Sequence, residues 1–201
     1  MEKITSTRRS TLKKIGAIGI AGVLSSTTAS AASRREITIK DGNFEVWFTS
    51  TDVEGENDKA KDNTISTKEK NNDEYGYVSA DLSNGDKCVY SIPSESFIHM
   101  VRVNGGSGSV TVEVESVPDT ETEADVEFKS MDGSKSDYDI TVSGSASARD
   151  NCETTLQDGT LNTDGYGYIQ GRVIDGEDTY DISGQFSQMT LDENIQLERY
   201  A

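Results

Sequence analysis

Proline is almost missing from this 201-residue chain, at two residues, and histidine and tryptophan occur once each. Each scarcity excludes something. A single histidine cannot furnish a histidine-based zinc site with the usual ligand set, and any Ser-His-Asp site would have to use His99. No serine sits in a Gly-x-Ser-x-Gly elbow to partner it. No apolar run approaches the roughly twenty residues that a membrane helix needs. The longest, Ile15 to Leu24, is interrupted by Gly16, Gly19 and Gly22. Asn-x-Ser/Thr sequons are absent, so N-glycosylation is not expected. Cysteine is limited to Cys88 and Cys152, too few for a metal site.

What abounds is negative charge. The formal net charge is −17 and the isoelectric point about 4.3. Such a field repels nucleic acid and anionic lipid, which excludes both as partners. It also strains the compact state by self-repulsion, which dissolved salt screens. Only 33% of the chain is hydrophobic, so the expected core is modest.

The amino-terminal residues carry a recognisable address. Thr7-Arg8-Arg9-Ser10-Thr11-Leu12-Lys13-Lys14 supplies paired arginines, the short apolar stretch follows, and Ala29-Ser30-Ala31 offers the small residues of a cleavage site. This resembles a twin-arginine (Tat) signal peptide, with Thr11 where the family pattern usually has Phe. The resemblance implies removal of residues 1–31 with cleavage after Ala31, export of a folded protein and an extracellular location. Ser25 to Ala32 holds no cysteine, so a lipid-anchored end is not expected. Removal takes five of 19 basic residues (Lys3, Arg8, Arg9, Lys13, Lys14) and one of 36 acids (Glu2), leaving 14 against 35 and a charge of −21. Tat export of a small acidic protein looks like a haloarchaeal secretome member, which implies adaptation to molar salt.

The remainder reads as all-β. Short alternating runs recur between Gly, Asn and Asp punctuation: Ile37-Thr38-Ile39, Phe44 to Phe48, Val110 to Val114, Ala124 to Phe128 and Tyr138 to Val142. Asn104-Gly105-Gly106 between two such runs predicts a hairpin. Hairpin turns are likewise expected at Asn84-Gly85-Asp86 and Asp175-Gly176-Glu177. The polar stretch 52–73 predicts a long surface loop. Tyr75-Gly76-Tyr77-Val78 returns as Tyr166-Gly167-Tyr168-Ile169, a weak internal repeat. The expected fold is therefore an antiparallel β-sandwich of two tandem related modules, 33–118 and 121–201. Residues 138 to 201 are similar to a β-module of haloarchaeal secreted proteins, found alone or behind extracellular hydrolases.

Candidate chemistry is sparse. Asp175, Glu177, Asp178 and Asp181 cluster around one turn and could offer oxygen ligands to calcium, although they lack EF-hand spacing. Solvated turn acids are the simpler reading. Trp47, Tyr75, Tyr77, Tyr166 and Tyr168 form aromatic platforms for sugar rings if they face water, and core packing if they do not. Alternation places Phe97, His99 and Val101 on one strand face, so a partly buried, satisfied imidazole is expected. An oxidising exterior favours a Cys88–Cys152 disulfide, contributing about 4 kcal/mol across the intervening loop. Two separate thiols are the alternative. No cofactor is expected. The leading expectation is a secreted, non-enzymatic binding or surface-interaction protein whose partner is an extracellular glycan or cell-surface protein. The alternatives are a carboxylate-based, glycosidase-like hydrolase and an antagonistic toxin or inhibitor.

Overall fold

Alternation in the sequence becomes strand after strand. The computed structural model describes residues 33–106, 108–117, 122–152 and 159–200. The expected signal segment, with Arg8, Arg9 and Ala31, lies outside them. In chain order the elements are β1 (Arg34–Phe48), β2 (Glu54–Gly55), α1 (Asp58–Asp62), β3 (Thr64–Lys70), β4 (Asp73–Pro93), β5 (Ile98–Val103), β6 (Val110–Val114) and β7 (Glu123–Ser130). They continue with β8 (Ser136–Val142), β9 (Ala146–Ala148), β10 (Gly159–Thr163), β11 (Tyr166–Val173), β12 (Glu177–Ser183), β13 (Phe186–Leu191) and β14 (Ile195–Tyr200).

The strands form one antiparallel, nearly closed barrel, sweeping 318° around an axis. Its order is β10-β11-β8-β13-β6-β1-β5-β14-β7-β12-β9, with β4 paired to β1 and carrying β2 and β3. This overturns the two-module sandwich. Strands β6, β1 and β5 of the first half lie between β13 and β14 of the second, so neither half completes a sheet alone.

The long strand β1 makes this interleaving possible. Its first half pairs with β6 (Ile37 opposite Val114) and its second with β5 (Phe44 opposite Val103). Between them the register breaks at Asp41 and Gly42, both at positive φ (61° and 66°). Strand β4 turns the same corner, where the Gly85 amide donates to Asp41 Oδ1 at 2.5 Å. Both ends of β1 then meet one short connection: Ser94 donates to the Ser33 carbonyl and Thr49 to that of Phe97. Four residues reach about 14 Å at most, whereas fifteen residues of straight strand would span about 50 Å, so β1 folds back on itself.

The inward positions fill one continuous core containing Ile37, Ile39, Phe44, Phe128, Ile140, Met189, Leu191 and Leu197, all buried. Most outward positions are polar, the alternation expected of a strand with one wet face. Among the described residues no helix is long and apolar enough to cross a membrane.

Three further expectations are corrected. The stretch 52–73 is not a loop: it forms β2, α1 and β3, because backbone pairing with β4 holds it, with Ala60 buried in the core and Val53 packed against it. Asn57 caps α1, accepting from the Ala60 amide at 2.9 Å. The turns after β5 and β11 do not make hairpins, since β5 and β6 flank β1, while β11 pairs with β8 and β12 with β7. Nor does the Gly85 turn, which is the corner within β4. Finally, Cys88 and Cys152 are both free and buried. Cys88 lies on β4 and Cys152 in the bend after β9: Cys88 accepts from Asn63 Nδ2 at 3.4 Å, and Cys152 donates to the Thr179 carbonyl at 3.2 Å.

Candidate functional site

The two Tyr-Gly-Tyr segments occupy comparable positions in the fold. Each lies on the second strand of a tight hairpin, β3–β4 turning at Asn71-Asn72 (φ 56° and 71°) and β10–β11 at Asp164-Gly165 (φ 51° and 80°). Each glycine points inward at a close approach. A Cβ on Gly167 would stand 2.7 Å from the Ala146 amide nitrogen, and one on Gly76 would strike the Ser50 carbonyl. The tyrosines therefore point outward in both copies, yet their surroundings differ.

Tyr166 and Tyr168 face water, at 45% and 37% exposure. They stand about 7 Å apart on one side of β11. The neighbouring outward positions form rows by register: Tyr168, Thr141 and Gln188 in one, and Gln170, Asp139 and Thr190 in the next. A shallow depression of about 130 Å³, lined by Asp137, Asp139, Gln170 and Thr190 among others, continues the face. Hydroxyls, amides and carboxylates share this face, with two aromatic rings at one end. Arg172 pairs with Asp137 at the rim, holding that carboxyl below its ordinary value.

Tyr75 and Tyr77 are covered instead. Trp47 (9% exposed), Tyr77 (7%) and Met100 form a second small apolar cluster, with Tyr75 packed against it. Trp47 meets Tyr77 edge-on and Tyr75 at a tilt, each at 5.9 Å between ring centroids, and Lys68 Nζ lies 4.8 Å from the Tyr77 ring. Trp47 is thus a support, not a platform.

Beside this cluster a cleft of about 270 Å³ is lined by Asn71, Tyr75, Phe97, His99, Glu198 and Tyr200, among others. His99 reaches it through a β-bulge. Trp47 faces Met100 and Phe48 faces Ile98, leaving His99 as an extra residue that is re-aimed outward. Its ring stacks on Tyr75 at 4.4 Å, and Nε2 lies 3.5 Å from Glu198 Oε1 without a hydrogen bond among the described residues. The shared face with Val101 is therefore not found. Burial pushes the imidazole below its ordinary value, against the pull of Glu198. Glu198 pairs with Lys70 and accepts from Gln196 Nε2 at 3.1 Å. Across the β14–β7 pair it stands opposite Glu127, whose proton affinity is raised by burial and by Glu177. Burial, then Glu198 and Glu127, push the Tyr200 hydroxyl up as well. Neither the bulge nor Tyr200 was read from the sequence. Only the period-2 pattern of Ile195, Leu197 and Arg199 could have placed Glu198 and Tyr200 together on the outer face.

The four calcium candidates are not brought together. Glu177 and Asp181 point outward from β12 while Asp178 points into the core, accepting from the Tyr138 hydroxyl at 2.7 Å. Asp181 and Asp125 share Arg149. Among the described residues no group of three or more His, Cys, Asp or Glu could hold a metal. The halophilic expectation also finds no structural support. Acids are met locally by bases, as in Arg34–Asp52 at 2.8 Å, Lys40–Glu113 at 2.6 Å and Lys59–Asp86 at 2.9 Å, and no geometry singles out molar salt. No protein-family model, curated protein or solved structure matches the chain.

Proposed function

We propose that the chain is a secreted, non-enzymatic contact protein that binds an extracellular glycan through the outer face of β11, β8 and β13. The supporting observation is the exposed Tyr166–Tyr168 pair beside rows of hydrogen-bonding side chains, Thr141 and Gln188 in one and Gln170, Asp139 and Thr190 in the next. Exposed tyrosine rings give flat apolar area with a polar tip, suited to the faces of sugar rings. Thr141, Gln170, Gln188 and Thr190 supply donors and acceptors for sugar hydroxyls at the next positions. Export through the twin-arginine route, implied by the Arg8-Arg9 segment, would place this face where such polymers occur. The test is affinity electrophoresis through gels containing soluble polysaccharides. Retardation of the unaltered chain that vanishes in a Tyr166→Ala/Tyr168→Ala variant supports the reading. Retardation by no polysaccharide, or equal retardation of the variant, ends it.

A second reading rests on the Glu198–Glu127 pair at the His99 cleft. Opposite residues on paired strands have Cβ atoms about 5 Å apart, and one of these carboxyls holds its proton more tightly than usual. A retaining glycosidase likewise uses two neighbouring carboxyls, one of them protonated as the acid. Turnover of a chromogenic glycoside, lost in Glu198→Gln, would favour it over simple binding.

A further inference from the structure

Two arginines point into the barrel, and neither forms an ion pair with a carboxylate among the described residues. Arg35 of β1 is 4% exposed and Arg199 of β14 is 1% exposed. Nε and Nη1 of both are buried without a hydrogen-bond partner among the described residues. Arg199 donates Nη2 to the Gly184 carbonyl at 3.1 Å, and its guanidinium carbon lies 4.5 Å from the Phe97 ring centre and 6.0 Å from that of Phe186. The same two rings, with Arg35, Ile98 and Gln185, line a small cavity of about 10 Å³. Arg35 lines this space directly, and Arg199 packs against the two aromatic rings that wall it.

We infer that this end of the barrel interior binds a single small monovalent anion of the halide type, held by Arg35, with the charge of Arg199 beside the aromatic wall adding to its attraction. Burying one unpaired charge is costly, and burying two of like sign is more so. Burial lowers both guanidinium groups to about 10, with Arg35 adding to the effect at Arg199, so both remain charged at neutral pH. The exposed Glu95 attracts Arg35 only from outside ion-pair distance. Water could accept from the orphaned N–H groups but would leave the repulsion uncompensated. A halide accepts hydrogen bonds and cancels charge together. The cavity has room for about one water-sized body, which excludes sulfate, phosphate and organic carboxylates.

The test compares thermal unfolding of the full-length chain in sodium chloride, sodium bromide and sodium gluconate at matched ionic strength. Matching removes general screening of the acidic surface, and gluconate is too large to enter. A saturable rise in Tm of roughly 5 °C with chloride or bromide over gluconate is expected once the anion is in about hundredfold excess over its dissociation constant. In Arg35→Met that increment disappears. Equal melting in all three salts, or an undiminished increment in Arg35→Met, overturns the inference. Should Arg35→Met fail to fold, crystals of the unaltered chain soaked in bromide decide: an anomalous peak against Arg35 supports the site, and an internal water alone ends it.

Discussion

Asn162 closes the barrel with its side chain. Its Oδ1 accepts from the Ala146 amide at 2.8 Å and its Nδ2 donates to the Ala146 carbonyl at 3.0 Å. One amide thus reproduces a strand's pair of hydrogen bonds across the gap between β9 and β10, the two ends of the strand order. Asn162→Ala removes both at a partly solvated site, so a loss of about 1 kcal/mol is expected. Hydrogen exchange localises the effect: the Ala146 amide should exchange faster while amides in β1 keep their rates. Unchanged exchange at Ala146 would show that the seam does not depend on this side chain.

Inside the barrel near the same seam, Tyr138 ties the β8 strand to β12. Its hydroxyl bonds Asp178 Oδ2 at 2.7 Å and the Tyr180 hydroxyl at 2.8 Å, and burial pushes the phenol's ionisation far up. The ring separately stacks on Phe128 at 3.9 Å. Tyr138→Phe keeps the stack and deletes the hydroxyl that serves both Asp178 and Tyr180, for an expected cost of about 2 kcal/mol. A lower urea midpoint with an unchanged m-value would record it. A midpoint equal to the parent's would mean that the core carboxylate does not need this bond.

Strands were legible in the sequence wherever one face is buried. Ile37-Thr38-Ile39, Val110 to Val114, Ala124 to Phe128 and Tyr138 to Val142 all lie in strands whose buried positions alternate. Partners were not legible. A glycine at positive φ says where the chain turns, but long-range hydrogen bonding decides whether it returns beside its predecessor or passes to another strand. Hence Asn71-Asn72 and Asp164-Gly165 close true hairpins while the turns at Gly105-Gly106 and Gly176 do not. At His99 the period-2 rule failed for a local reason, since a bulge adds one residue and reverses the facing of the strand positions beyond it. The aromatic platforms divided by environment: identical Tyr-Gly-Tyr segments are covered on β4 by the packing of Trp47 and Lys68, and bare on β11.

Free, buried thiols make a sharp chemical forecast. Burial pushes both Cys88 and Cys152 above their ordinary value, outweighing the hydrogen bonds that pull the other way. The thiolate is the reactive form, so both should resist a disulfide reagent in the native protein and both should react after unfolding in urea. A reductant should leave Tm unchanged. Absence of titratable thiol in the unreduced, unfolded chain would instead mean that they are bonded.

The lone histidine gives the clearest pH dependence. Burial lowers the His99 imidazole below 6.5 despite the nearby carboxylates of Glu198 and Asp73, with Lys70 adding to the depression. Between its folded value and 6.5 the unfolded chain binds more protons, so stability rises with pH across that window. The contribution is complete above 6.5 and is lost as the solution is acidified. Asp137 and Asp181, depressed from 3.8, act in the same direction but only at lower pH. Glu127, raised from 4.5, acts in the opposite sense, so the parent's slope alone does not isolate the histidine. Subtraction does: His99→Gln should flatten the stability curve from pH 6.5 downward relative to the parent, leaving the acid limb below pH 3.8 in place. Because the chain holds one histidine, a single imidazole resonance can be followed by NMR. Its midpoint in the folded protein should fall below 6.5, and a midpoint at or above that value would mean that Glu198 outweighs burial and that the cleft is wetter than its geometry implies.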